Sequence, residues 1–132
     1  MDYAKVSLEK HYEWKGKIGI RKRPAQGLLA GLYEFPSEEG KWTKKQLSEQ
    51  LEKDGVQPEK LFSTGTAKHI FSHVEWHMKG FYIKLADDCD LTCLPRNLLF
   101  VTREELQETY MLPVAFHYYL QQILDESGRK GK

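Results

Sequence analysis

The stretch "KHIFSHVEWHMKGFYIKLA", residues 68–86, contains three of the five histidines of the chain, His69, His73 and His77, at intervals of four. An interval of four brings residues together on a helix, but it is also twice the period of a β-strand. The spacing of the histidines therefore fits either structure. The pattern of the neighbouring residues has to decide between them.

The alternation within this stretch predicts a strand. Apolar side chains at positions 74, 76 and 78 alternate with polar ones at 75, 77 and 79, and beyond Gly80 the alternation changes phase, as a β-bulge would make it. We predict one long strand from Val74 to Leu85, with His73 and His77 on it or beside it. A metal site needs three or four convergent ligands, which this histidine spacing alone does not supply, and we expect no bound metal.

Further strands are predicted on the N-terminal side. Residues 4–24 predict a strand, a turn at Gly16 and a second strand that ends near Arg23. A short strand follows at Leu32 to Phe35, and the segment from Lys60 to Ala86 is rich in β-branched and aromatic residues without a helix start signal.

Three helices are predicted from their end signals, namely Thr43 to Asp54 with a Thr43–Gln46 capping box, a short helix after the Thr102–Glu105 capping box, and Pro113 to Asp125. The segment 86–99 predicts a loop. The fold class is therefore α+β, with a mixed β-sheet packed between two or three helices. We expect one domain over residues 1–126 and a disordered tail at 127–132.

Composition limits the partners of such a domain. The chain has 132 residues, 40% of them hydrophobic, which is enough for one globular core. Lys and Arg number 20 against 19 Asp and Glu, so a nucleic-acid role must depend on a local patch or on a second domain. With two cysteines, Cys89 and Cys93, and no membrane-length apolar run, we expect buried or half-buried thiols and a cytoplasmic location.

Positive charge is concentrated in the run "KGKIGIRKR", residues 15–23, which carries five positive side chains. A strand pair with these charges could rest on phosphates, and a solvated edge strand protected by charge explains them equally well. No serine lies in a nucleophile-elbow context. The tripeptide "FSH", residues 71–73, combines a ring that could wedge between bases with a hydroxyl that could bond a base edge, although Phe71 is more often a core residue.

Three segments, "KRPAQGLLAGLYEFP" (22–36), "HIFSHVEWHM" (69–78) and "MLPVAFHYYL" (111–120), together resemble the C-terminal domain of the MutY family of adenine DNA glycosylases. The resemblance covers residues 3–125. It implies a Nudix-like fold that recognises 8-oxoguanine opposite adenine in base excision repair, while a separate N-terminal domain excises the adenine.

The resemblance also implies roles for the 71–73 loop. Ser72 would contact the oxidised guanine, Phe71 would anchor or wedge the loop, and His73 would support it or touch the DNA backbone. The expected partners are double-stranded DNA with 8-oxoguanine opposite adenine, and the N-terminal glycosylase domain in cis, in a monomer. The DNA-binding residues that we predict are Lys68, His69, Phe71, Ser72, His73, Arg21 and Arg23.

The remainder of such an enzyme would not fit in 132 residues. The family carries an iron–sulfur cluster in its catalytic domain, so we expect no cofactor in this chain and interpret the chain as a fragment of a longer protein. A first alternative is a domain that serves only for packing against another domain or for contact with another protein.

A second alternative is a free-standing Nudix hydrolase that acts on an oxidised guanine nucleotide. The signature of those enzymes is G-x5-E-x7-R-E-U-x-E-E-x-G-U, in which the glutamates hold Mg²⁺. Aligned on Gly55, the chain has Ser48 and Glu49 at the Arg-Glu pair, and Glu52 and Lys53 at the last two glutamates. A lysine in a cation cluster weakens it, so we expect the domain itself to be non-catalytic.

Overall fold

The computed structural model describes residues 3–27, 29–71 and 73–130. In chain order the elements are β1 (Tyr3–Trp14), β2 (Lys17–Lys22), β3 (Tyr33–Glu34), β4 (Ser37–Glu39), α1 (Lys44–Lys53), β5 (Pro58–Phe71), β6 (Val74–Leu85), β7 (Leu99–Val101), α2 (Arg103–Glu108) and α3 (His117–Lys130). Short 3-10 turns lie at Leu91–Cys93 and Val114–Phe116. The predicted α+β class, a mixed sheet between helices, is confirmed.

The strands form one sheet in the order β3-β2-β1-β6-β5, with β4 paired to β1 and β7 paired to β2. The central strands β1 and β6 are parallel, in a register that runs from Tyr3 opposite Val74 to Glu13 opposite Lys84. All other pairs are antiparallel. Because Ile18 of β2 pairs with both β1 and β7, β2 has a neighbour on each side, and the interpretation of the basic run as an edge strand is wrong.

Each face of the sheet is covered by helices over its own apolar core. On one face, Leu47 and Leu51 of α1 pack against a cluster that includes Phe81 and Ile83 of β6. On the other face, α2 and α3 cover a larger cluster around Trp76. Fully burying one such large apolar side chain stabilises the fold by about 1.5–3 kcal/mol, so the two cores hold the sheet and helices together.

The change of pattern at Gly80 has a different cause from the one predicted. Strand β6 keeps its alternation, because Trp76, Met78 and Tyr82 join the core under α3 while Phe81 and Ile83 join the core under α1. Beyond Gly80 both faces are covered, so the pattern becomes mostly apolar, with Lys84 as the exception. The register shift lies on the neighbouring strand β5, between Ser63 and Gly65, and the prediction of a bulge in β6 is wrong.

The helix signals are confirmed at their N-terminal ends. Both capping boxes form, with Thr43 bonded to Gln46 before α1 and Thr102 bonded to Glu105 before α2. The last helix begins with a 3-10 turn and continues to Lys130, beyond the predicted end at Asp125. A single glycine, Gly128, does not end it, since glycine inside a helix costs only about 1 kcal/mol.

The predicted domain limit at residue 126 stays a prediction, and residues 131 and 132 of the predicted tail lie outside the described residues. Both cysteines are free thiols of intermediate exposure, as expected. Among the described helices, none is both long and apolar enough to cross a membrane.

Candidate nucleic-acid interface

The predicted recognition loop lies at the tip of the β5–β6 hairpin. Strand β5 ends at Phe71 and β6 begins at Val74, so His73 occupies an exposed turn position between them. Ser72 and the side chain of Phe71 lie outside the described residues. Their roles in contacting the lesion therefore stay predictions, and the structure defines what surrounds them.

The hairpin register places the two flanking histidines on opposite faces of the sheet. Lys68 pairs with His77 and His69 pairs with Trp76, and residues directly opposite each other in an antiparallel pair share a face. Trp76 faces α3, so His69 also faces α3, and Lys68 and His77 face the side of α1. His69 and His77 therefore do not converge, and the described residues contain no group of three or more His, Cys, Asp or Glu that could hold a metal.

On the α3 side, two cations lie over the ring of Trp76. The Lys5 ammonium is 4.5 Å from the ring centroid and the Arg23 guanidinium carbon is 5.8 Å from it. Trp76 itself is only 1% exposed and packs edge-on against Phe116. The tryptophan thus fixes positive charge beside the loop through cation–π attraction.

The predicted DNA-binding residues Arg21 and Arg23 are joined to one buried carboxylate. Arg21 Nε lies 2.9 Å from Glu34 Oε2, and Arg23 Nη1 lies 2.5 Å from Glu34 Oε1. The Arg21 side chain is 30% exposed and that of Arg23 is 12% exposed. The pair of arginines therefore keeps a net positive charge, and Arg21 has the freer surface for contact with a phosphate.

Beneath the hairpin, a chain of hydrogen bonds leads from Trp76 into the protein. Trp76 Nε1 donates to Ser7 Oγ at 2.8 Å, and Ser7 Oγ donates to Glu9 Oε2 at 2.6 Å. Burial raises the pKa of Glu9 to about 7, and burial lowers the pKa of the neighbouring strand residue His11 to about 3. The alternation of polar and apolar residues in β1 did not indicate that these polar side chains are buried, because polar residues at every second position of a strand normally face water.

The α1 side of the hairpin opens into a groove, because α1 covers only the far half of the sheet. The groove has a volume of about 650 Å³ and lies between residues 40–43 and the strands β1, β5 and β6. Lys41, Lys68 and Lys79 are among its lining residues, together with Trp42. The sequence did not indicate this cluster, since Lys41 is distant in sequence from the hairpin.

The helix that aligns with the hydrolase signature has a different arrangement. Leu47 and Leu51 face the core, and Glu49 and Lys53 line one surface hollow while Glu52 lines another. The lysine therefore shares its hollow with the first of the aligned glutamates, where its charge competes with that of a cation.

A mixed β-sheet packed between helices, with this order of strands and helices, identifies the class of domain to which the chain belongs. The family model described as the NUDIX domain matches residues 12–122. The chain therefore belongs to the NUDIX domain family.

Within that family, the resemblance to adenine DNA glycosylase is confirmed. The chain is 32% identical over 113 residues to the human protein named adenine DNA glycosylase, in a match that covers 77% of this chain and 20% of that protein. The chain thus spans about a fifth of the length of this relative.

Solved structures agree on the fold. The C-terminal domain of mouse MUTYH, from its complex with human PCNA, matches with a TM-score of 0.70 and 23% identity over 95% of this chain and 90% of that chain. The MutT protein from Methanosarcina mazei matches with a TM-score of 0.65 and 14% identity over 96% of both chains.

Proposed function

We propose that this chain is the lesion-recognising domain of an adenine DNA glycosylase in base excision repair, and that it binds double-stranded DNA with 8-oxoguanine opposite adenine. The observation that carries the proposal is the positive charge on both faces of the sheet beside the 71–73 loop. Lys5 and Arg23 lie over Trp76 on one face, and Lys68 lies on the other. Lysine and arginine beside a recognition loop suit DNA phosphates on either side of the base that is read.

The loop residues and the flanking cations have different chemistry and therefore different roles. Phosphate contacts position a protein on DNA, whereas contacts with base edges read the base. The Ser72 hydroxyl and its backbone would contact the oxidised base, Phe71 would anchor the loop, and His73 would support it. Excision of the adenine belongs to a catalytic domain in cis, with its iron–sulfur cluster, and a cytoplasmic location stays our expectation.

Binding by this domain alone should be weak. The net charge is +1, so few counterions would be released from DNA, and a second domain on the same duplex would raise the affinity through effective concentration.

The test is an NMR titration of the ¹⁵N-labelled chain, because chemical shifts report weak binding. One duplex would contain 8-oxoguanine opposite adenine, and the matched control would contain guanine opposite adenine. We expect larger shifts at residues 71–73 with the lesion. Equal shifts with both duplexes would contradict recognition of the oxidised base by this loop.

The hydrolase alternative is favoured by membership of the NUDIX family and by the likeness to MutT folds. Lys53 in the position of an aligned glutamate argues against it. Its test is release of pyrophosphate from an oxidised guanine nucleoside triphosphate with Mg²⁺. Turnover that is abolished by Glu52→Gln would establish the hydrolase and overturn the non-catalytic assignment.

A further inference from the structure

We propose that the groove on the α1 side of the hairpin holds a sugar–phosphate strand of the same DNA, continuing from the lesion loop. This inference rests on the proposed function and assigns new contacts to Lys41 and Lys79. The groove is defined by Lys41, Trp42, Lys68 and Lys79 over a floor that includes Val6, and it is called the lysine groove below.

The position of the lysine groove makes it continuous with the recognition loop. Lys68 lies on β5 three residues before Phe71, and its cross-strand neighbour His77 lies on β6 close after the loop. Further along the same strands, Thr66 pairs with Lys79 on the same face. A DNA strand that brings a base to the 71–73 loop therefore passes the mouth of the groove.

The charge of the lysine groove is complementary to phosphate. Among the described residues that line it, none is an Asp or a Glu. Within the described part of the chain, neither Lys41 nor Lys68 nor Lys79 forms a salt bridge with a carboxylate. Glu75, an acid on this side of the hairpin, is bonded to His77 at 2.7 Å.

The side chain of Lys79 is held in place by a ring. Its ammonium lies 5.4 Å from the centroid of Phe81, which is the next residue of β6 on the same face and is only 1% exposed. A cation fixed in this way loses less side-chain entropy on binding an anion than a freely moving surface lysine would. Lys79 is thus suited to a phosphate contact.

The form of the groove favours a DNA strand over a free phosphate ion. A free ion needs one cluster of donors, whereas lysines on separate elements, around a floor with apolar residues, match repeated phosphates joined by deoxyribose carbons. These contacts read no base, so they would bind damaged and undamaged DNA alike.

The test compares Lys41→Gln/Lys79→Gln with the control Lys60→Gln/Arg96→Gln in the full chain, which also removes two positive charges. Both control residues are exposed; Lys60 pairs with Lys84 at the end of the hairpin away from its tip, and Arg96 lies in the segment between β6 and β7. Affinity for fluorescent duplexes with 8-oxoguanine or guanine opposite adenine would be measured at several salt concentrations. Each lost phosphate contact reduces the magnitude of the slope of log K against log salt concentration by about 0.9. For the groove variant we therefore expect the magnitude of this slope to fall by about 1.8 on both duplexes.

The outcomes separate the two proposals. An unchanged slope for the groove variant, with normal binding by the unmodified chain, would overturn the lysine groove and leave the proposed function intact. Equal wild-type affinity for the two duplexes, with a reduced slope for the groove variant, would support the groove and overturn lesion recognition.

Absence of any DNA binding by the unmodified chain would overturn both proposals. If the double variant fails to fold, Lys41→Gln alone provides the test, because Lys41 is exposed and lies outside the strands and helices. We expect its slope to fall by about 0.9.

Discussion

At the scale of single residues, Ser72 should decide between oxidised and normal guanine. With the proposed glycosylase domain joined to the chain, we expect Ser72→Ala to reduce discrimination between the two bases by about 1–3 kcal/mol, the value of one good base contact. General affinity for DNA should change less, because phosphate contacts do not involve this side chain. Binding constants for the two duplexes would measure it, with Ser48→Ala, on the exposed surface of α1, as the control.

Equal losses of affinity on both duplexes for Ser72→Ala would contradict a base-reading role. The charge of Arg21 and Arg23 is partly neutralised, which weakens the case for their contact with DNA. Both guanidinium groups already bond Glu34, and a residue sequence cannot reveal which carboxylate a cation will meet. Their direct contact with DNA stays a prediction.

At the scale of elements, the β5–β6 hairpin depends on the absence of a side chain at Gly80. A Cβ atom there would lie 2.5 Å from Tyr119 Cε1 and 2.8 Å from His11 Nε2, and it would also collide with Thr64 of the register shift in β5. We expect Gly80→Ala to lower the free energy of unfolding by roughly 1–3 kcal/mol, as overpacked cores do. Urea unfolding would measure the loss.

The matched control for Gly80→Ala is Gly19→Ala on β2, where the nearest atom to the new Cβ would be 3.2 Å away on the Phe100 side chain. Because a side chain can move by a few tenths of an ångström, we expect a smaller loss there. Similar losses for both variants would show that the close packing at Gly80 is not the cause.

Local signals predicted the elements better than their arrangement. The strand Val74–Leu85 and both capping boxes follow from patterns within a few residues, and all three are confirmed. The short strands β4 and β7 were not predicted, because three residues carry too little periodicity and are ordered by their neighbours β1 and β2. The lysine groove was missed for the same reason, since it joins Lys41 to strands that are remote in sequence.

At the scale of the whole molecule, the buried carboxyl of Glu9 links stability to pH. Its pKa is raised from 4.5 in the unfolded chain to about 7, so the folded state holds the proton more tightly. Stability from this group is therefore greatest at low pH and falls as the pH rises from 4.5 to about 7. His11, with its lowered pKa, acts in the opposite direction, since acid protonates the unfolded chain first.

The variant Glu9→Gln isolates this linkage. The free energy of unfolding of Glu9→Gln, relative to that of the unmodified protein, should be about 2–3 kcal/mol higher at pH 8 than at pH 5. The reason is that the amide has no charge to desolvate at either pH. Urea unfolding at both pH values would measure the gain, with exposed Glu108→Gln as the control. A stability difference that does not vary with pH would contradict the raised pKa.

The parallel pairing of β1 with β6 has a consequence for the synthesis of the protein. Tyr3 pairs with Val74 and Glu13 with Lys84, so these neighbours at the centre of the sheet are far apart in sequence. Contacts between residues so far apart in sequence form slowly, because the entropy of closing a long loop is lost before the contacts stabilise the fold. During synthesis on the ribosome, Leu8 and Tyr12 of β1 therefore remain unpaired with β6 until β6 has left the exit tunnel.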